Sequence, residues 1–290
     1  MAMKELKREY KGFTVGDYPN GMFLILDNKR IDESIEFMKA EGIYGLVVNY
    51  INGCREPDIA FLNKFSFIKY INLLHWGVED ISIIHELNNL ETLIIQTTCK
   101  TPVDFSCFHK LKVCRMNWLP KRKSVLNCTT LEELTLNRYK PKNKDLGLLS
   151  DLTELKILEI KSSPLHTLTG IENLQKLEIL ELHYLRSFRS IAGIQKLPVL
   201  NELVIGACKK IETYEPLSHC SQLKTLVLEN VGNIATLKPM QNLTNLELLA
   251  LYESKVEDGD LSYLKKLPKL KKLFLREYQH YSHTKNQILK

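Results

Sequence analysis

The sequence lacks several features that mark common classes of protein. No apolar run reaches the roughly 18 residues that a membrane-spanning helix requires, and residues 1–13 hold no apolar stretch of signal-peptide length. The seven cysteines are an odd number spread over 54–220, which favours reduced thiols over a disulfide framework. We therefore expect a cytoplasmic protein whose cysteines are mostly small core residues.

The sequence motifs of common enzyme classes are also missing. The chain contains no Gly-rich phosphate loop, no GxSxG nucleophile elbow and no HExxH metal motif. Cys107 and Cys114 lie near His109, but no second cysteine pair follows at a metal-binding spacing. These absences lead us to expect no enzyme activity, no cofactor and no metal.

A repeated apolar pattern runs through most of the chain. The stretch LKILEI at 155–160 returns as LEILEL at 177–182. Pairs of apolar residues with one residue between them recur at steps of 20 to 25 residues. The eleven pairs are Leu46/Val48, Ile71/Leu73, Leu93/Ile95, Cys114/Met116, Leu134/Leu136, Leu158/Ile160, Leu180/Leu182, Leu203/Ile205, Leu226/Leu228, Leu249/Leu251 and Leu273/Leu275.

Each pair is preceded by apolar residues at a spacing of three, as in Leu243, Leu246 and Leu249. Alternation is typical of a strand, whereas a spacing of three is typical of a tight 3₁₀ turn, in which every third side chain lies on the same side. One such coil cannot bury its own leucines, so we expect the coils to stack and their strands to form one parallel sheet.

Residues 155–174 follow the pattern LxxLxLxx(N)xLxxLxxLxxL, which resembles leucine-rich repeats of the roughly 22-residue class. That class is known in bacterial internalins and in regulatory subunits of a Ser/Thr protein phosphatase. The resemblance implies an α/β solenoid, a leucine-rich repeat horseshoe of about 11 coils. Its parallel sheet would form the concave side and 3₁₀ or extended segments the convex side.

The chain departs from the family at one position of each coil. The family usually has Asn three residues after the second strand leucine, and no Asn stands there in any coil. We therefore expect irregular coils around 119, 185 and 231. Trp76 and Tyr139 fall in this inward column, and we assign both to the core.

The two ends of the chain differ from the repeats. Pro19, Asn20 and Gly21 predict a hairpin turn, and a short helix capped by Asp32 is expected to end at Gly42. We divide the chain into a hairpin-plus-helix cap at 1–42, a leucine-rich repeat solenoid at 43–275 and a C-terminal tail or partial cap at 276–290.

The residues between the strand leucines are expected to point away from the core, onto the concave face. They are polar in the middle coils and apolar in the last four coils, and exposed apolar strips usually mark interfaces. The alternatives are that Val and Ile stand there only because they favour strands, or that the C-terminal strip forms a homodimer. The predicted partner-binding residues are Arg115, Asn117, Trp118, Ile157, Glu159, Ile179, Glu181, His183, Tyr184, Val204, Val227, Tyr252 and Phe274.

Positive charge is concentrated just after the fourth and fifth strands. Residues 115–144 hold eight basic and two acidic residues, a balance of +6 that equals the formal charge of the whole chain. We expect these and later loop residues to form a basic rim, which is either a solvated edge or a surface for an anionic partner. The rim residues are Lys121, Arg122, Lys123, Arg138, Lys140, Lys142, Lys144, Arg186, Arg189, Lys209 and Lys210.

Together these features predict a non-enzymatic scaffold that recognises a protein partner through its concave face and basic rim. A regulatory subunit, an effector and an immunity-type inhibitor all fit this prediction. Binding of nucleic acid or of another anionic surface through the rim is one alternative, and an enzyme with an unrecognised site is another.

Overall fold

The computed structural model describes residues 7–19 and 21–289, so Asn20 of the predicted hairpin turn lies outside the described residues. The chain divides into two compact units, with the boundary between Leu131 and Glu132. Within the described ranges, no helix has both the length and the apolar character needed to cross a membrane.

The first unit is a sheet whose strands follow one another in sequence order. Strands β1 to β3 pair antiparallel, and each strand from β3 onward pairs parallel with the next. The strands are β1 (Arg8–Tyr10), β2 (Phe13–Tyr18), β3 (Gly21–Ile25), β4 (Gly45–Asn49), β5 (Tyr70–His75), β6 (Thr92–Thr97) and β7 (Val113–Asn117).

The hairpin and helix expected near the N-terminus are both present. Tyr18 pairs with Gly21 across the turn, and helix α1 (Ile31–Glu41) ends at Gly42 in the left-handed region, with a φ of 65°. Asp32 lies in the first turn of α1 and does not cap it, so that expectation is wrong. Asp27 instead caps the preceding 3₁₀ turn, because its carboxylate accepts the Lys29 N–H at 3.0 Å.

The second unit contains parallel strands and a short C-terminal helix, α2 (Lys285–Ile288). The register places the inward leucines side by side, so that Leu158, Leu180 and Leu203 lie on neighbouring strands. The strands are β8 (Glu133–Asn137), β9 (Ile157–Lys161), β10 (Ile179–His183), β11 (Glu202–Gly206), β12 (Thr225–Ile234), β13 (Leu248–Val256) and β14 (Lys272–Leu275).

All eleven predicted apolar pairs lie in strands β4 to β14 with their side chains buried. The residues at a spacing of three belong to 3₁₀ turns, as Ile171 and Leu174 show, and both are fully buried. The return segments of the coils are the 3₁₀ helices Ala60–Phe65, Ser82–Glu86, Phe105–Cys107 and Pro120–Asn127 in the first unit, and Gly147–Leu149, Ile171–Asn173, Ile194–Lys196, Glu215–His219, Lys238–Asn242 and Ser262–Lys266 in the second.

A row of left-handed residues follows strands β8 to β11 of the second unit and continues inside β12 and β13. Each member has a positive φ, and the first four donate their backbone N–H to a carbonyl of the next coil at 2.7 to 2.9 Å. None is β-branched, the type that tolerates this conformation least. The row consists of Arg138, Ser162, Tyr184, Ala207, Asn230 and Glu253.

The left-handed row explains where the predicted inward column is right and where it is wrong. The left-handed Arg138 shifts the alternation of inward and outward side chains by one residue. Tyr139, two residues after β8, is therefore fully buried as predicted. In the first unit β5 continues to a buried His75, and Trp76 therefore points outward with 49% of its surface exposed. The assignment of Trp76 to the core is wrong.

The missing asparagines distort the coils less than expected. Near 231 the pairing of β12 with β13 shifts register between Glu229 and Gly232, so this coil is irregular as predicted. Leu185 is fully buried, and the coil around it keeps the same N–H to carbonyl bond as its neighbours. Leu119 is extended and half-buried, immediately before the 3₁₀ helix that starts at Pro120. The division into cap, solenoid and tail stays a prediction.

Candidate functional site

The open face of the second unit consists of the side chains of β8 to β14 that point away from the leucine core. The strand register places Thr135, Glu159 and Glu181 in one row, which continues through Val204 and Val227. The row therefore changes from charged to apolar between β10 and β11.

The charged section of the open face contains Thr135, Glu159, Lys161, Glu181 and His183. Two carboxylates lie opposite each other on β9 and β10, an arrangement that is unfavourable unless other groups compensate their charge. Lys161 forms an ion pair with Glu159, and the Thr135 hydroxyl donates to Glu159 Oε2 at 3.0 Å. His183 Nε2 lies 3.3 Å from Glu181 Oε2 and 4.0 Å from Glu159 Oε1.

The His183 ring is held against the backbone of the next strand. A Cβ built on Gly206 would lie only 2.7 Å from His183 Nδ1, so only glycine leaves room for this ring position. The hydrogen bond from His183 is the largest of the causes that lower the pKa of Glu181 to about 2. The ring therefore keeps the Glu181 carboxylate ionised although it is half-buried.

Three groups of the charged section are close enough to approach one cation. One ligand atom from each of Glu159, Glu181 and His183 lies within 4.8 Å of the others. The Lys161 ammonium already contacts the same Glu159 oxygen as His183 does, so a metal ion would compete with it.

The apolar section of the open face covers β11 to β14. Val204, Val227 and Ala250 continue the central row to Phe274, and Ala250 is buried between its neighbours. Phe274 is 42% exposed and stacks on Tyr252, which is 45% exposed, with a ring separation of 6.0 Å. On β9 and β10, outside this section, the predicted residues Ile157 and Ile179 lie half-buried in the row next to the central one. The section thus offers large apolar side chains to solvent.

The equivalent face of the first unit is already covered over β3 to β6. Val47, Tyr70 and Ile94 are buried there in a cluster with Phe23, and Tyr18 stacks on Tyr70 at 4.6 Å. Three predicted site residues come later in this unit: Arg115 is exposed on β7, and Asn117 and Trp118 are half-buried at its end.

The prediction that Arg122 belongs to the basic rim is wrong. Its side chain is fully buried, and its guanidinium donates to Cys99 O at 3.1 Å and to Thr101 O at 3.3 Å. The 3₁₀ helix Pro120–Asn127 turns Arg122 and Val125 inward, whereas Lys121 and Lys123 are exposed. Arg122 is therefore a structural residue that binds backbone carbonyls of the previous coil.

The rim residues of the second unit are all exposed. Arg189 forms an ion pair with Glu212 at 3.0 Å, which offsets its charge. Lys140 and Arg186 form no ion pair with any residue in the described part of the chain, and they line a cleft together. The other exposed rim residues are Arg138, Lys142, Lys144, Lys209 and Lys210.

The cationic cleft has a volume of about 440 Å³ and lies at the end of β9 and β10. It is lined by Lys140, Ser162, Ser163, Pro164, Tyr184, Arg186 and Ser187. Sequence reasoning found the cations and Tyr184 but missed the serines. They follow β9 and β10 in the sequence, but the left-handed turns that bring them together give no sequence signal.

Comparisons with known proteins identify the fold. No protein-family model matches the chain, and the search among curated proteins found no match. The crystal structure of an internalin (inlF) from Listeria monocytogenes is similar at 17% identity, with a TM-score of 0.57 over 90% of this chain and 92% of that one. The crystal structure of a TDR receptor is similar at 20% identity, with a TM-score of 0.60 over 87% of this chain but only 45% of the receptor chain. Together with the strand and 3₁₀ pattern of both units, these likenesses show that the chain has the leucine-rich repeat fold.

Proposed function

We propose that this chain is a non-enzymatic scaffold that binds a protein partner through the open face of its second unit. The observation that carries the proposal is the apolar section, where Tyr252 and Phe274 present stacked rings to solvent beside Val204 and Val227. Exposed aromatic side chains next to apolar neighbours are typical anchors of protein interfaces.

The neighbouring charged section adds selectivity to this surface. Lys161 forms an ion pair with Glu159, and His183 lies within hydrogen-bond distance of Glu181, so a partner has to match a fixed pattern of polar groups rather than a uniform field. We infer a partner segment that places apolar side chains over β11 to β14 and polar side chains over β8 to β10.

Site-specific crosslinking tests the proposal. A photoreactive amino acid replaces Val227 on the open face or, as the control, Val199, which is 44% exposed and lies outside the strands. Each protein is irradiated in extracts of the native host, and the crosslinked proteins are identified by mass spectrometry.

We expect one or a few proteins to crosslink from position 227 and not from position 199. A second copy of this chain as the only product would mean that the face serves self-association. Equal products from both positions, or no product from 227, would contradict the proposed function.

A further inference from the structure

The cationic cleft combines two kinds of group that recognise an anion. Lys140 and Arg186 supply positive charge, and neither forms an ion pair with an acidic group of the described residues. Ser162, Tyr184 and Ser187, whose side chains carry hydroxyl groups, also line the cleft. Hydroxyls and cations together are the donors that charged oxygen acceptors bind most strongly.

The repeat geometry fixes the spacing of the backbone positions that carry the two cations. Lys140, Pro164, Arg186 and Lys209 each follow the left-handed row by two residues, so they occupy equivalent positions in successive coils. Neighbouring coils are separated by the strand spacing, which places Lys140 and Arg186 roughly 10 Å apart along the stack. Pro164, which has no charge, lies between them, and the cleft therefore has a cation on each side.

The walls of the cleft are held by the backbone. Phe188 N–H donates to Leu185 O at 3.1 Å and closes a turn over Arg186 and Ser187. On the other side the Ser163 hydroxyl donates to Tyr139 O at 2.6 Å, which fixes the loop that carries Ser162. The site is thus formed before any ligand arrives, which lowers the entropic cost of binding.

A tetrahedral oxyanion fits this arrangement better than a carboxylate. A phosphoryl group carries nearly two negative charges and three acceptor oxygens, which matches two cations and several hydroxyls, whereas a carboxylate carries one charge on two oxygens. The cleft residues Ser162 and Tyr184 directly follow Lys161 and His183 of the open face, so one partner can reach both.

We propose that the cationic cleft binds a phosphorylated side chain of the partner protein. The inference rests on the proposed function for the identity of the partner. A nucleic-acid backbone fits less well, because it needs a longer series of cations. Pro164 interrupts the series here, and Gly232 interrupts it again in the coil after Lys209.

The proposal can be tested without the partner. A glycine-rich peptide that carries one phosphoserine, and its unphosphorylated form, are titrated into the isotope-labelled protein while amide chemical shifts are recorded. Two variants are compared with the wild type. Lys140→Ala/Arg186→Ala removes the cleft cations, and Lys238→Ala/Lys265→Ala removes two exposed cations outside the cleft.

We expect saturable shifts of the Tyr184, Arg186 and Ser187 amides with the phosphorylated peptide only. The cleft variant should bind at least about tenfold more weakly, since hydrogen bonds to charged groups carry much of the affinity, and the control variant should bind like the wild type. Binding should also strengthen as the pH rises through about 6, the second pKa of a phosphate ester.

Three results would overturn the proposal. These are the absence of saturable shifts up to the solubility limit, equal shifts from both peptides, or equal weakening by both variants. A single-stranded DNA oligonucleotide that binds the cleft more tightly than the phosphopeptide would assign the site to nucleic acid instead. Because Val227→Glu should bind the phosphopeptide normally, a failed cleft and a failed open face give different results.

Discussion

The left-handed row of the second unit predicts that one substitution to glycine will stabilise the protein. Ala207 has a φ of 53°, a region where an L-residue with a Cβ is strained by about 1–2 kcal/mol. Glycine removes this strain, but it makes the unfolded chain more flexible at a cost of about 0.5–1 kcal/mol. The Ala207 N–H donates to Glu229 O at 2.8 Å, and glycine keeps that bond. We therefore expect Ala207→Gly to raise the free energy of unfolding by about 1 kcal/mol.

Urea unfolding measures this effect directly, provided that the slope with denaturant stays unchanged. Ala192→Gly is the matched control, because Ala192 is exposed and does not have a positive φ. The control should lose about 0.4–1 kcal/mol, since only the unfolded chain gains freedom. Ala207→Val should be destabilised further, because a β-branched side chain fits the left-handed region poorly. If Ala207→Gly lost as much stability as Ala192→Gly, the strain argument would be refuted.

Three further predictions concern single side chains. The pKa of Glu181 is lowered from 4.5 to about 2, so its contribution to stability is present above pH 4.5 and lost as the pH falls toward 2. Glu181→Gln should therefore make the free energy of unfolding less dependent on pH over that window. An unchanged pH profile would contradict this. Gly206→Ala should destabilise the wild type and be nearly neutral in a His183→Ala background, which a double-mutant cycle would show. Equal losses of unfolding free energy in both backgrounds would mean that the His183 ring does not need the glycine. Arg122→Ala should lower the free energy of unfolding, measured with urea, by about 2–4 kcal/mol, because it leaves a cavity and unpaired carbonyls. Lys123→Ala should change it by less than about 0.5 kcal/mol. Equal losses would contradict the burial of Arg122.

The sequence pattern was sufficient to predict the coils. Leu158 and Ile160 alternate within β9, and Ile171 and Leu174 follow at a spacing of three in a 3₁₀ turn. Both spacings arise because one side of each coil is buried, and they recur in every repeat. The spacing of the repeats then fixed the strand register, so Glu159 and Glu181 were correctly placed on the open face.

The errors arose where the backbone changed direction without a sequence signal. Ala207 and Tyr184 adopt a conformation that usually favours glycine, and neither residue type indicates it. Counting from the strand places Trp76 in the core, and this prediction fails because β5 has no left-handed residue after it. Arg122 lies in a run of basic residues typical of a surface, and only the turn of the 3₁₀ helix carries it into the core.

The cleft could be predicted only in part, for the same reason. Lys140 and Arg186 lie 46 positions apart in the sequence, and their charge alone suggested no more than a rim. Their equivalence depends on the row of hydrogen bonds that continues past the strand ends through Arg138, Ser162 and Tyr184.

The most direct test of the account is the affinity of a crosslinked partner for two variants of this chain. Val227→Glu places a charge in the apolar section, and Val199→Glu places the same charge on an exposed valine outside the strands. We predict that Val227→Glu raises the dissociation constant at least about tenfold, because it buries an unpaired charge in the interface. Val199→Glu should leave the dissociation constant unchanged. If both folded variants bound the partner like the wild type, the open face of the second unit would not be the binding surface.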